Sequence, residues 1–455
     1  MPDRDNYLRA QNTRHQFHPM IHPIISAEHP PQIITDSDGC YVTDIDGNRL
    51  VDGLGGLWNV NVGHNRAEVK QAIIEQMDRL SYYSSFAGTA TAPSIELSAK
   101  ICEMAAEEEI TKVMFSANGS DAVETALKLA RQYWHLEGQP TRTKFLSLKQ
   151  GYHGVHFGGL SVNGAAYYRN AYEPLLPGCF LIDSPWTYRN PFSEDPEELA
   201  DAVITQIERT ILAQGPQTVA AFIAEPVQGA GGVIVPPASF WPKLRAVLDK
   251  YEVLLISDEV VTGFGRSGSM FGARGWGVKP DIMCFAKGIS SGYIPLGATA
   301  LSKRVADAWY QGFTPEGIIM HGYTSTGHPV GCAAAIACLD IVEREDLPGN
   351  AARMGKRLLD GLKPLAETSS VVGEVRGKGL MIGIDFVSDK QARTPIDPGT
   401  GIVEQIAAYA REEGAIVRPA GSVIILSPPL VIQDAEIDII VNALTKACAR
   451  YDQES

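Results

Sequence analysis

Between residues 218 and 302 the chain carries apolar runs that are continuous but short: "TVAAFIAE" (218–225), "VLLISDE" (253–259), "DIMCFAK" (281–287) and "LGATALS" (296–302). Runs of this length, ended by polar residues, predict strands buried on both faces. Between the first two lies "FWPKLRAVLDKY" (240–251), whose apolar residues recur at helical spacing. Strands of this kind alternating with helices predict an α/β fold with a mostly parallel central sheet covered by helices. Ligands of such sheets bind at the carboxyl ends of the strands. Glu225, Asp258 and Lys287 all stand at the ends of these runs.

The flanks read differently. "VTDIDGNRLVDGLGGLWNVNVGH" (42–64) carries Asp-Gly pairs typical of hairpin turns, while the C-terminal part mixes helical patterns with "VGEVRGKGLMIGIDF" and "SVIILSPPL". The expected organisation is a large domain over 61–329 and a smaller α+β domain assembled from both chain ends, 1–60 and 330–455.

Lys287 closes an apolar run and is followed at once by Gly288, Ser290, Ser291 and Gly292. Burial there disfavours the ammonium form and leaves a nucleophilic amine. Asp258, at the end of another apolar run, needs a cationic partner or good hydrogen bonds. A structural Asp–Lys ion pair would satisfy both residues. So would pyridoxal 5'-phosphate (PLP), with a lysine joined to its aldehyde and an aspartate holding its ring nitrogen protonated. "FSANGSDAVETALKLARQYW" (115–134) opens a helix at Gly119-Ser120, with apolar residues at Ala122, Ala126, Leu129, Ala130 and Tyr133. Its first N–H groups and the Ser120 hydroxyl suit a phosphate, and a capping box from Asp121 to Glu124 is expected beside them. In "GYHGVHFGGLS" (151–161), Tyr152 stands between glycines and can approach a flat ligand. His153 and His156 lack a third ligand at metal spacing, so no metal site is expected and both read as hydrogen-bonding or structural.

Composition narrows the function. The 455 residues are 45% apolar and 20% charged, ordinary for a globular enzyme, and the net charge of -14 argues against nucleic acid as a partner. Seven scattered cysteines form no C-x-x-C pair. The charged N-terminus lacks a secretory pattern and no apolar run reaches the roughly 20 residues of a membrane span, so a cytoplasmic protein with no membrane partner is expected.

"SANGSDAVETALKLAR", "GYHG", "AEPVQGAGG", "ISDEVVTGFGRSG", "CFAKGISSGYIPLGA" and "HGYTSTGHPVGCAAA", in this order, resemble the class III aminotransferases of PLP fold type I. The resemblance implies PLP as cofactor, with Lys287 as its covalent partner and catalytic proton shuttle. It implies that Asp258 holds the ring nitrogen, Tyr152 and Val260 cover the two ring faces, and Glu225 lies beside the cofactor. Gly119, Ser120 and Thr324 would bind the phosphate, Thr324 coming from the partner subunit, so a homodimer with shared sites is implied, with a tetramer of such dimers possible.

Members acting on ornithine or 4-aminobutyrate commonly carry Gln where this chain has Val261 in "DEVVTGFGR". That departure, with "GLGGLWNVNVGH" and "VRPAG", brings the chain closer to the ω-amino acid:pyruvate and amine:pyruvate subgroup. In that subgroup the residue matching Trp58 lines the substrate pocket and that matching Arg418 grips the carboxylate of pyruvate or alanine. Leu57, Phe86 and Ala230 are further candidate pocket walls, or plain core. The implied activity is ping-pong transfer of an amino group from an amine or ω-amino acid to pyruvate, giving an aldehyde or ketone and alanine. The nearest rival is another PLP reaction on the same scaffold, an aminomutase or a decarboxylase; a catalytically silent scaffold is the more distant one.

Overall fold

Every residue of Val219–Ala224 and of Leu254–Asp258 is buried, which is what continuous apolar runs require. They form the middle of a seven-stranded sheet in a computed structural model that describes residues 2–86 and 88–455. Its strands are β1 (Ile110–Ser116), β2 (Lys144–Leu148), β3 (Cys179–Ile182), β4 (Val219–Ala224), β5 (Leu254–Asp258), β6 (Ile282–Phe285) and β7 (Gly297–Ser302), in the order β1-β7-β6-β5-β4-β2-β3. Neighbours from β3 to β6 are parallel, whereas β7 runs antiparallel to both β6 and β1. Between β6 and β7 lies only one short 3-10 turn, Lys287–Ile289. A parallel return needs a dozen or more residues and usually a helix, so the chain turns back on itself.

Successive side chains alternate between two helical layers. Leu254 and Ile256 pack with Ala122, Ala126 and Leu129 of the helix Gly119–Leu136. Phe222 and Leu255 face the other way, onto the helices Pro196–Gln214 and Phe240–Lys250.

Both chain ends meet away from this sheet. Ile34–Asp38, Tyr41–Asp44 and Arg49–Asp52 form an antiparallel meander, and Ala415–Ile416 adds to it in parallel, Val51 opposite Ala415. Asp46-Gly47 is the expected turn: Gly47 has φ 83 and Asp44 Oδ1 accepts from the N–H groups of Asp46 and Asn48 at 3.0 and 2.8 Å. The second pair, Asp52-Gly53, makes no hairpin. Gly53 is a close-approach glycine, since a Cβ there would lie 2.7 Å from the Ile416 carbonyl oxygen. A second antiparallel sheet holds Val372–Lys378, Met381–Asp389, Val423–Leu426 and Arg418–Ala420. The helix Pro329–Arg344 lends Cys332, Ala335 and Leu339 to the core around β1, β6 and β7, and Cys338, Ile341 and Val342 to the core at the chain ends. Among the described residues no helix is long and apolar enough to cross a membrane.

Candidate active site

Strand register sets the floor of the site. Ala224 pairs with Ser257 and Asp258 with Cys284, so Glu225, Asp258 and Lys287 emerge side by side at the carboxyl ends of β4, β5 and β6. All three line one cavity of about 490 Å³. Asp258 is buried and its Oδ2 lies 2.8 Å from Nδ1 of His153, while its Oδ1 accepts from the Val260 N–H at 3.1 Å. Asp258 is therefore paired with His153, and among the described residues Lys287 has no hydrogen-bond or ion-pair partner. A structural Asp–Lys bridge is thereby excluded. Lys287 also adopts a left-handed backbone, φ 47, which a β-carbon disfavours. Gly288 answers a steric need, because a Cβ there would lie 2.4 Å from Asn61 Nδ2.

At the opposite end the helix Gly119–Leu136 points its N-terminus into the cavity. The expected capping box from Asp121 to Glu124 is replaced by a cap one turn earlier. Asn118 accepts from the Asp121 N–H at 3.0 Å, and the Asp121 carboxylate accepts from the Ala117 N–H at 3.0 Å and pairs with His156 at 2.7 Å. Glu124 instead accepts from the Gly159 N–H at 3.3 Å. The cap leaves the N–H groups of Gly119 and Ser120 without a protein acceptor among the described residues. Ser120 Oγ accepts from the Val155 N–H at 3.1 Å, so its own hydrogen remains free to donate. Gly119 lets Val260 close in, since a Cβ there would lie 2.9 Å from Val260 Cγ1.

Tyr152, Val260, Trp58, Leu57 and Val261 line the same cavity. Tyr152 is anchored through its N–H to Glu225 Oε1 at 2.9 Å, and its ring lies 4.9 Å from that of Tyr168. Trp58 is brought in from the N-terminal segment: Lys287 Nζ sits 5.0 Å and Arg418 Cζ 5.7 Å from its ring centre. Arg418 reaches this spot from the edge strand Arg418–Ala420, and its guanidinium has no hydrogen-bond or ion-pair partner among the described residues. Ala230 packs into the apolar cluster around Trp58, Val227 and Met381 and does not line the cavity. Phe86 and Thr324 are not brought to the cavity of their own chain. Phe86 is half exposed against Gly322, and the exposed Thr324 accepts a hydrogen bond from Tyr82 through its carbonyl at 2.7 Å.

The electrostatics suit an amine nucleophile. Burial lowers the pKa of Lys287 from 10.5 to about 8, with Arg418 and Arg266 acting the same way and Asp258 and Glu225 opposing them. Burial, and then Asp258, raise Glu225 from 4.5 to about 7 against the pull of His153 and the Tyr152 and Gly229 N–H groups. His153 is hydrogen-bonding, as read from the sequence, but its partner was not foreseen, and neither was the influence of Arg266 on Lys287. His153 carried no signal for its pairing with Asp258, and Arg266 stands within a quoted motif yet gave no hint of being fully buried without a carboxylate partner among the described residues.

This arrangement fits a flat, phosphorylated aldehyde: unsatisfied donors at a helix N-terminus, an unpaired lysine at reach, and a buried carboxylate on the cavity floor. PLP bound here supplies the electron sink for transamination. Lys287 could hold its aldehyde and move the proton, Asp258 its ring nitrogen, and Gly119 and Ser120 its phosphate.

Comparison with known proteins identifies the family. Residues 24–448 match the family described as aminotransferase class-III. An amine transaminase from an uncultivated Pseudomonas species, solved in its PLP-bound form, is 57% identical and superposes with a TM-score of 0.95 over 96% of this chain and 98% of that one. An (S)-enantioselective omega-transaminase from Thermomicrobium roseum is 41% identical with a TM-score of 0.94, covering 98% of each chain. Diaminobutyrate–2-oxoglutarate transaminase from Halomonas elongata is 39% identical over 450 residues, 98% of this chain and 95% of that protein. With the fold, the cavity and these relatives in agreement, the chain belongs to the class III aminotransferases of PLP fold type I and is a PLP-dependent enzyme.

Proposed function

We propose that this aminotransferase moves the amino group of an amine or ω-amino acid to pyruvate, yielding an aldehyde or ketone and alanine, and that it works as a homodimer with shared sites. The observation that carries the acceptor is Arg418, an unpaired guanidinium beside Trp58. A guanidinium fork matches a carboxylate. The cavity lining contains no arginine among the described residues, so Arg418, beside Trp58 at its margin, offers the one nearby carboxylate grip. That suits a monocarboxylate such as pyruvate better than a dicarboxylate such as 2-oxoglutarate. The apolar surroundings, Trp58, Leu57 and Val261, suit a donor with an apolar body.

The 2-oxoglutarate reading is favoured by the Halomonas relative, whose name specifies that acceptor. The homodimer is supported by Phe86 and Thr324, which lie outside their own chain's cavity amid exposed Tyr82, Tyr83, Ile318 and Met320; the same two residues would complete a neighbouring subunit's site. The test is an acceptor panel at saturating amine donor. Alanine formed from pyruvate should exceed glutamate formed from 2-oxoglutarate at equal concentration by at least tenfold in kcat/KM; the reverse preference would overturn the reading.

A further inference from the structure

The indole of Trp58 packs against a glycine that no catalytic role accounts for. A β-carbon built on Gly229 would sit 2.7 Å from Cζ3 of the indole, 3.3 Å from Cε3 and 3.4 Å from Cη2. The six-membered ring of Trp58 thus approaches Gly229 closely along its Cε3–Cζ3–Cη2 edge. Gly229 is not a glycine for conformational reasons, because it is absent from the left-handed positions that its loop neighbour Gly232 occupies at φ 110. An alanine would meet no backbone strain there, so the contact with the indole is what a side chain would disturb.

The two partners are unequally held. Gly229 donates its N–H to Glu225 Oε2 at 2.8 Å, and its carbonyl accepts from Gly232 and Val233 at 3.0 and 3.1 Å. The far side of that loop is clamped by Arg376, whose Nε donates to the Gly232 and Val233 carbonyls at 3.0 and 3.1 Å while Nη1 pairs with buried Asp385 at 3.1 Å. The indole has no such ties: Trp58 Nε1 is buried with no hydrogen-bond partner among the described residues. Pressed by a methyl group, the indole would yield and the loop would not. On its open sides lie Lys287 and Arg418, at 5.0 and 5.7 Å from the ring centre.

We propose that Gly229 is a specificity-determining residue of the transamination: by lacking a side chain it lets Trp58 lie back on the loop, and so sets the room left for the donor's substituent. The inference rests on the reading of Trp58 as a wall of the substrate pocket. Pushing the indole forward by a methyl group narrows that room, and misfits of one carbon in an apolar pocket change rates by about tenfold or more.

The experiment compares holoenzymes of wild type, Gly229→Ala, Trp58→Phe and the double variant, with pyruvate as acceptor. The donors are a short aliphatic amine and a bulky aryl-alkylamine, and the readout is the ratio of their kcat/KM values. Gly229→Ala should lower the bulky-to-small ratio about tenfold in the wild-type background and leave it nearly unchanged in the Trp58→Phe background. Equal losses in both backgrounds would overturn the inference, since the loop rather than the indole would then be moving. If Trp58→Phe alone leaves the ratio at the wild-type value, the pocket-wall reading itself fails, and the inference with it. Should Gly229→Ala yield no folded protein, recovery of folding in the double variant supports the indole as the obstacle, and failure of both overturns it.

Discussion

Replacing Lys287 by methionine should stabilise the enzyme freed of its cofactor while abolishing its activity. Lys287 stands unpartnered at φ 47, and burial holds its pKa near 8 against the ordinary 10.5. A depression of that size corresponds to about 3 kcal/mol at roughly 1.4 kcal/mol per pKa unit. Because the folded state binds this proton more weakly than the unfolded chain, the cost is fully present below about pH 8. It then fades as pH rises through 10.5, where both states have lost the proton. Methionine has a similar length and no charge. The apo variant should therefore exceed the apo wild type by up to about 3 kcal/mol at pH 7, the gap closing across that alkaline window. Denaturant unfolding of both proteins at a series of pH values measures the gap, in which the titrating groups that do not interact with Lys287 cancel. Transamination should fall by at least the 10²–10⁴-fold typical of a lost general base. A gap that stays flat with pH, or a wild type more stable at pH 7, would refute the argument that Lys287 is held against its preferred charge state.

Asp258→Asn removes the foremost influence holding the Lys287 pKa up, so selective labelling of the apo lysine by an amine-reactive probe should show its pKa moving below about 8; an upward movement would refute the assignment. The same variant should retain PLP less tightly, measured by dialysis against buffer, because an amide cannot balance a protonated ring nitrogen. Arg418→Ala should raise KM for pyruvate and alanine about ten- to a hundredfold, the equivalent of roughly 1.5–3 kcal/mol for a charged hydrogen bond. Amines without a carboxylate should react nearly as before in stopped-flow traces of the first half-reaction, and equal losses for both would make Arg418 a support of pocket shape.

The central strands were legible because burial on both faces writes a continuous apolar run, and β4, β5, β6 and β7 fall within the stretches so predicted. Their polar ends were legible for the same reason: Glu225, Asp258 and Lys287 interrupt apolar runs at the rim. The direction of β7 was not written in its own composition, since it depends on how short the connection from β6 is. The cap at Asn118 was missed because Asp121 and Glu124 present a competing pattern at the right spacing, and only the approach of the 151–161 loop draws Glu124 away. The pairing of His153 with Asp258 joins residues 105 positions apart. No local pattern encodes it. Phe86 illustrates the limit most plainly: nothing near it in the sequence says that the fold leaves it outside its own chain's cavity, whereas for Thr324 the resemblance alone implied as much.

The parallel pairing of Val51 with Ala415 bears on how the molecule is made. Closing a loop that spans most of the chain costs entropy before any contact there is rewarded. Synthesis, moreover, delivers the N-terminal strand long before its partner. The sheet of β1 to β7, complete by Ser302, can form while Arg49–Asp52 still waits for its parallel neighbour. Trp58, a few residues beyond that waiting strand, and Arg418, just after the late one, reach their places only when the two ends join. The strands that carry Glu225, Asp258 and Lys287 are thus all synthesised by Ser302, whereas Trp58 and Arg418 meet only through a join between residues near the two ends of the chain.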